Sequence, residues 1–132
     1  MKYRTAAVAV LLAATAALTA CSSSDDSSDS KAAAKVPSYA ITKQDTSGNQ
    51  RTVTVEVKST EGLRTVFDDV AGKLTEDAGY FVEINCATGG TGTSDNRLAN
   101  GKKAVGNIGA ASTGLDDGKT EYEAQTGATC TA

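Results

Sequence analysis

The chain has 132 residues, 13 of them basic and 16 acidic, with a net charge of −3, no His and no Trp. Without imidazole it lacks the commonest general base, metal ligand and pH switch, and zinc sites built on His are excluded. The length allows one domain, and the acidic balance argues against a nucleic-acid partner or electrostatic attachment to anionic lipid.

Residues 1–20 have the three parts of an export signal. Lys2 and Arg4 give a positive start, Ala6–Ala20 is a 15-residue apolar run broken only by Thr15 and Thr19, and Leu18-Thr19-Ala20-Cys21 closes it. A bilayer-spanning helix needs about 20 apolar residues, so the run is short for an anchor and right for a cleaved signal. The quartet fits a lipoprotein processing site. Small Thr19 and Ala20 let a peptidase reach the bond before Cys21, Leu18 completes the pattern, and the Cys21 thiol takes the lipid. An ordinary secretory signal cut elsewhere is the alternative. Loss of residues 1–20 leaves 11 basic and 16 acidic residues, a net of −5.

Residues 21–35 are Cys21 and a Ser/Asp/Ala/Lys tether in which nothing can pack, so it reads as disordered. Ser28-x-x-Lys31 matches an acylating motif by letter only, because that chemistry needs a desolvated Lys. Asp25, Asp26 and Asp29 lack the spacing and glycine of a calcium loop.

The folded part spans 36–132. Tyr39–Lys43 and Arg51–Val57 alternate with period two, and Asp45–Asn49 between them is a turn cluster of hairpin length. Ser59-Thr60 offers an N-cap with Glu61 in the first turn. Apolar residues then recur at Leu63, Val66, Phe67, Val70, Ala71, Leu74 and Ala78, the spacing of an amphipathic helix that Gly79 would end. Tyr80–Cys86 reads as a third strand with Val82, Ile84 and Cys86 inward. Ala87–Asn96 is a loop. Asn100-Gly101 is a tight-turn signal between weak strands. The Gly- and Ala-rich stretch 106–118 has no clear assignment, and Lys119–Ala124 suggests a last strand.

The order implies an α+β domain, ββαβ(β)β: a hairpin, one amphipathic helix, then two or three further antiparallel strands. A β-grasp-like arrangement is compatible with it.

Lipid on Cys21 leaves an even pair, Cys86 and Cys130, in an oxidising compartment, where such pairs usually bond. The expectation is a structural disulfide; free thiols or a redox pair are the alternatives. A redox role is disfavoured because the pair is not Cys-x-x-Cys and no base cluster flanks it.

Other motifs fail on spacing or context. Gly114–Thr120 has three residues between its glycines where a P-loop has four, and Asp116 and Asp117 would oppose a phosphate, so no nucleotide is expected. Gly89-Gly90-Thr91-Gly92-Thr93 follows a strand, but no helix opens after it to supply an anion site. Asp68-Asp69 and Glu76-Asp77 are neighbours that diverge on a helix, and a glycosidase would need facing carboxylates in an aromatic cleft. No catalytic residue, metal or cofactor is assigned, and the chain is not read as an enzyme.

The lipobox, the Ser/Asp tether, Tyr80-Phe81-Val82-x-Ile84-x-Cys86, Asn96-Arg97-Leu98-Ala99 and the late Cys130 resemble the small secreted lipoproteins of actinobacteria. The resemblance implies a location and no mechanism. The expected protein is a lipoprotein on the extracytoplasmic face of the cell membrane, held by lipid on Cys21. Its small module would bind a protein or envelope polymer; the alternative is a carboxylate- or cysteine-based enzyme or redox factor of the envelope.

Overall fold

Val53, Val55 and Val57 alternate with Thr52, Thr54 and Glu56, and the chain there forms a strand with one buried face. All three valines are at most 3% exposed. The structure, a computed structural model, describes residues 35–89 and 96–131. In chain order these form β1 (Tyr39–Gln44), β2 (Gln50–Val57), α1 (Leu63–Lys73), β3 (Ala78–Cys86), β4 (Arg97–Val105), α2 (Gly106–Thr113) and β5 (Thr120–Ala124). The signal segment and the tether up to residue 34 lie outside the described residues, as do residues 90–95 of the glycine-rich loop.

The fold is α+β, with the strands of one sheet in the order β1-β2-β3-β4-β5. β1 pairs antiparallel with β2 through the turn at 45–49. The crossover helix returns the chain to its starting end, so β3 runs parallel to β2. β4 and β5 follow antiparallel. The hairpin–helix–strand order stands as read. The finer β-grasp-like arrangement gives way to simple chain order, with β5 at an edge.

α1 lies on the valine side. Leu63, Val66, Phe67, Val70 and Ala71 are buried and join Val53, Val55, Val57, Tyr80, Val82 and Ile84 in one core. The helix is shorter than its periodicity suggests. It ends at Lys73, Leu74 turns extended, and Ala78 and Gly79 belong to β3. The loose carbonyl of Ala71 is taken by the Leu74 N–H at 3.2 Å and by Lys103 Nζ at 2.6 Å. The N-terminus also differs. Gly62 is the N-cap, at φ 66°, and no side chain caps the helix. Ser59 Oγ instead accepts the Glu61 N–H within the preceding turn.

Asn100-Gly101 forms no turn; both residues sit inside the nine-residue β4. The reason is packing. A Cβ on Gly101 would stand 2.1 Å from Phe67 Cε2, so the bare backbone there is the seat of the Phe67 ring. Phe67 also meets Tyr122 of β5, with ring centroids 5.5 Å apart. One aromatic side chain thus joins α1 to β4 and β5.

The segment left unassigned in the sequence supplies α2. This helix packs on the opposite sheet face from α1, at one end only. A Cβ on Gly79 would meet Ser112 Cβ at 2.6 Å, and one on Gly109 would meet the Ala78 carbonyl oxygen at 2.5 Å. Gly79 and Gly109 therefore let the helix backbone sit almost directly on the strands, a contact without the apolar periodicity that announces a helix.

Gly101→Ala is expected to cost about 1–3 kcal/mol by overpacking against Phe67. Phe67→Leu in the same chain should recover part of that loss. Denaturant melts of the four-member double-mutant cycle measure the coupling, and strictly additive losses would refute the contact.

Candidate functional site

Beyond α2, no described element packs on the second sheet face, where half-buried Phe81 sits among mostly polar side chains. Strand parity brings Glu83 and Asn85 of β3 beside Arg97 and Asn100 of β4 on this face, where Glu83 pairs with Asn100 and Asn85 with Arg97. Arg97 is the hub. Its Nε donates to Asn85 Oδ1 at 2.7 Å and its Nη1 to Asn100 Oδ1 at 2.5 Å, while its Nη2 lies 2.9 Å from Glu83 Oε2. The Arg97 side chain is 13% exposed and Asn85 is 6% exposed. The guanidinium thus spends one donor from each nitrogen within the protein. It braces β3 to β4 where their register shifts between Ile84 and Asn85. Lys102 and Glu121 continue the charged surface, 3.3 Å apart.

A second cluster surrounds the C-terminus of α1, whose dipole favours cations. The Tyr39 hydroxyl donates to Asp69 Oδ2 at 2.5 Å, and Lys73 Nζ donates to the Tyr39 oxygen at 2.6 Å and to Asp69 Oδ2 at 2.7 Å. This closed triangle ties β1 to the helix. The hydrogen bond from Lys73, then that from Tyr39, holds the Asp69 carboxyl below its ordinary 3.8. Asp69, then Tyr39, holds the Lys73 ammonium above its ordinary 10.5. Burial, then the bond to Asp69, raises the Tyr39 phenol above 10.0. Nearby, Arg51 pairs with Glu76, and the Tyr80 hydroxyl donates to the Glu76 carbonyl at 3.0 Å. A depression of about 120 Å³ between these groups is lined by Gln44, Arg51, Lys73, Glu76 and Tyr80 among others. Its two cations face Glu76 and Asp69, so it presents balanced charge.

Of the residues singled out from the sequence, Cys86 and Cys130 meet in a disulfide with Cα atoms 5.5 Å apart. It fastens the C-terminal segment to the end of β3, where Ala128 and Cys130 pack on the core. The Thr131 N–H donates to the Gly89 carbonyl at 3.0 Å beside it. Leu18, Thr19, Ala20 and Cys21 lie outside the described residues. Asp68 pairs with Arg64 along the helix while Asp69 turns to Lys73, so those adjacent carboxylates diverge. Among the described residues no group of three or more His, Cys, Asp or Glu side chains is placed to hold a metal ion.

Sequence reasoning missed the Arg97 network. Its signal was the outward parity of Glu83 and Asn85, but the partner strand was hidden by reading Asn100-Gly101 as a turn. Compared with family models, with curated proteins and with solved structures, the chain finds no match in any of the three.

Two outcomes are expected. Reduction of Cys86–Cys130 should lower stability by about 4 kcal/mol if the chain-entropy term for a loop of this length dominates; an unchanged denaturation midpoint under reductant refutes a stabilising role. The Asp69 shift contributes stability present above about pH 4 and lost as pH falls through the lower folded value. The Lys73 and Tyr39 shifts contribute stability present below about pH 10 and lost as pH rises through the higher folded values. Asp69→Asn should therefore make the acid limb of a stability–pH curve shallower, and chemical melts at about pH 3, 7 and 11 record whether it does.

Proposed function

We propose that the protein is an extracytoplasmic lipoprotein, held on the cell membrane by lipid on Cys21. Its domain from residue 36 is a small binding module for a protein or envelope polymer at the cell surface. The observation that carries the location is Leu18-Thr19-Ala20-Cys21 at the end of the apolar run Ala6–Ala20. One acyl chain holds a protein only marginally, and the two or more added at such a cysteine give lasting attachment.

Support for a binding role comes from the form of the domain. Cys86–Cys130 fastens the C-terminal segment to β3 and Arg97 braces β3 to β4, yet no described element covers one face beyond α2 and both edge strands are exposed. A rigid sheet with an open face and open edges can hold a ligand without a large ordering cost.

Cys21→Ala should leave the protein unprocessed or release it to the medium, and should abolish incorporation of a clickable palmitate analogue. Fractionation of cells expressing each form is the test. A variant that stays in the membrane fraction at mature size removes the lipid anchor from the proposal.

A further inference from the structure

The two edges of the sheet are not equivalent. β1 is bulged between Ile41 and Lys43, and Tyr39 ties it to α1. A bulge and a lysine on an edge both work against the addition of a further strand. β5 has neither bulge nor proline and runs in unbroken register along β4. Its bonds reveal which of its main-chain groups have no partner among the described residues. The Ala104 N–H donates to the Lys119 carbonyl, and the Gln125 N–H donates to the Leu98 carbonyl. The alternation of an antiparallel ladder then directs the main-chain groups of Glu121 and Glu123 to β4 and turns those of Thr120, Tyr122 and Ala124 outward. The Tyr122 ring against Phe67 holds this edge in place.

The side chains of β5 on the uncovered face are acidic. Glu121 reaches back to Lys102, and Glu123 has no ionic or hydrogen-bonding partner among the described residues. With Asn100 and Lys102 they wall a depression of about 130 Å³ floored by Gly101 and Tyr122. The edge thus pairs a row of open main-chain donors and acceptors with a rim where Lys102 answers Glu121, Lys119 precedes the strand on the same face, and Glu123 is the carboxylate left without a partner among the described residues.

We propose that the β5 edge docks an extended segment of a partner protein carrying Lys or Arg at alternate positions. The segment adds a sixth strand through main-chain bonds to Thr120, Tyr122 and Ala124, and its cations on the uncovered face meet Glu121 and Glu123. A second copy joined β5 to β5 in the register centred on Tyr122 would set Glu121 against Glu123, and like charges directly opposite repel. The inference rests on the binding-module reading and names the surface that serves it.

The test uses the full chain in non-ionic detergent, isotope-labelled for amide NMR, and two labelled seven-residue peptides. One alternates Lys with Val and Thr; the other has Glu in place of Lys. The expected result is saturable binding of the lysine peptide alone, with amide shifts centred on Thr120, Tyr122 and Ala124. Glu121→Gln/Glu123→Gln, confirmed folded by circular dichroism, should weaken it by about two- to thirtyfold, as loss of two cross-strand ion pairs implies. Binding that the double variant leaves unchanged, or no saturable binding, overturns the edge assignment. Shifts that map to β1 or the sheet face overturn it while leaving the module reading in place. Concentration-dependent self-association that the double variant alters would assign the edge to a second copy instead. Failure of the lipid anchor shows separately, as lost membrane fractionation with peptide binding intact.

Discussion

The Phe67 ring rests on the bare backbone of Gly101, and most of the architecture depends on that contact. It sets the height of α1 above the sheet. It also brings β4 against the helix, with β5 close enough for Tyr122 to meet the same ring. A side chain at position 101 would lift the helix and open the valine face of β2. The core is thin, with few aromatics, so one well-seated ring holds a large share of the helix–sheet contact. The seat also explains why β4 tolerates a glycine in mid-strand, where it ordinarily weakens pairing.

The charged groups follow a related economy. Those nearest the core are held in small closed sets: Arg97 with Asn85, Asn100 and Glu83, and Lys73 with Asp69 and Tyr39. Each set bridges two elements, so polar contacts finish joints that the small core leaves loose. The first braces β3 to β4 at their register shift, and the second ties the edge strand β1 to α1. An exposed pair such as Lys73–Asp69 adds little stability singly, but both sets fix geometry between elements. Glu121 and Glu123 belong to neither set and stand along the free edge of β5.

Much of the fold was legible because its signals are periodic. The valines of β2 and the Leu63–Leu74 stripe gave the strand, the helix and the face on which they meet. Cys86 and Cys130 were legible as a pair by counting thiols. What escaped was decided by tertiary contact. Gly101 looks like a turn residue until Phe67 is placed above it. Gly79 looks like a helix cap until Ser112 and Thr113 are placed against it. The helix α2 has little apolar stripe because it packs through backbone contact at Gly109, leaving no pattern for periodicity to detect. The Arg97 network needed the β3–β4 pairing, which the mistaken turn at Asn100-Gly101 concealed.

The chain-order arrangement of the strands bears on how the domain assembles as the chain emerges. Each strand from β2 onward finds its sheet neighbour already emerged, so pairing can proceed from N- to C-terminus with short loop closures. The covalent link is the exception. Cys86 emerges 44 residues ahead of Cys130, and in that interval the chain's only other thiol is Cys21. Under the proposed acylation, the lipid that anchors the protein also blocks that thiol, so no non-native intramolecular disulfide is open to Cys86 when Cys130 arrives.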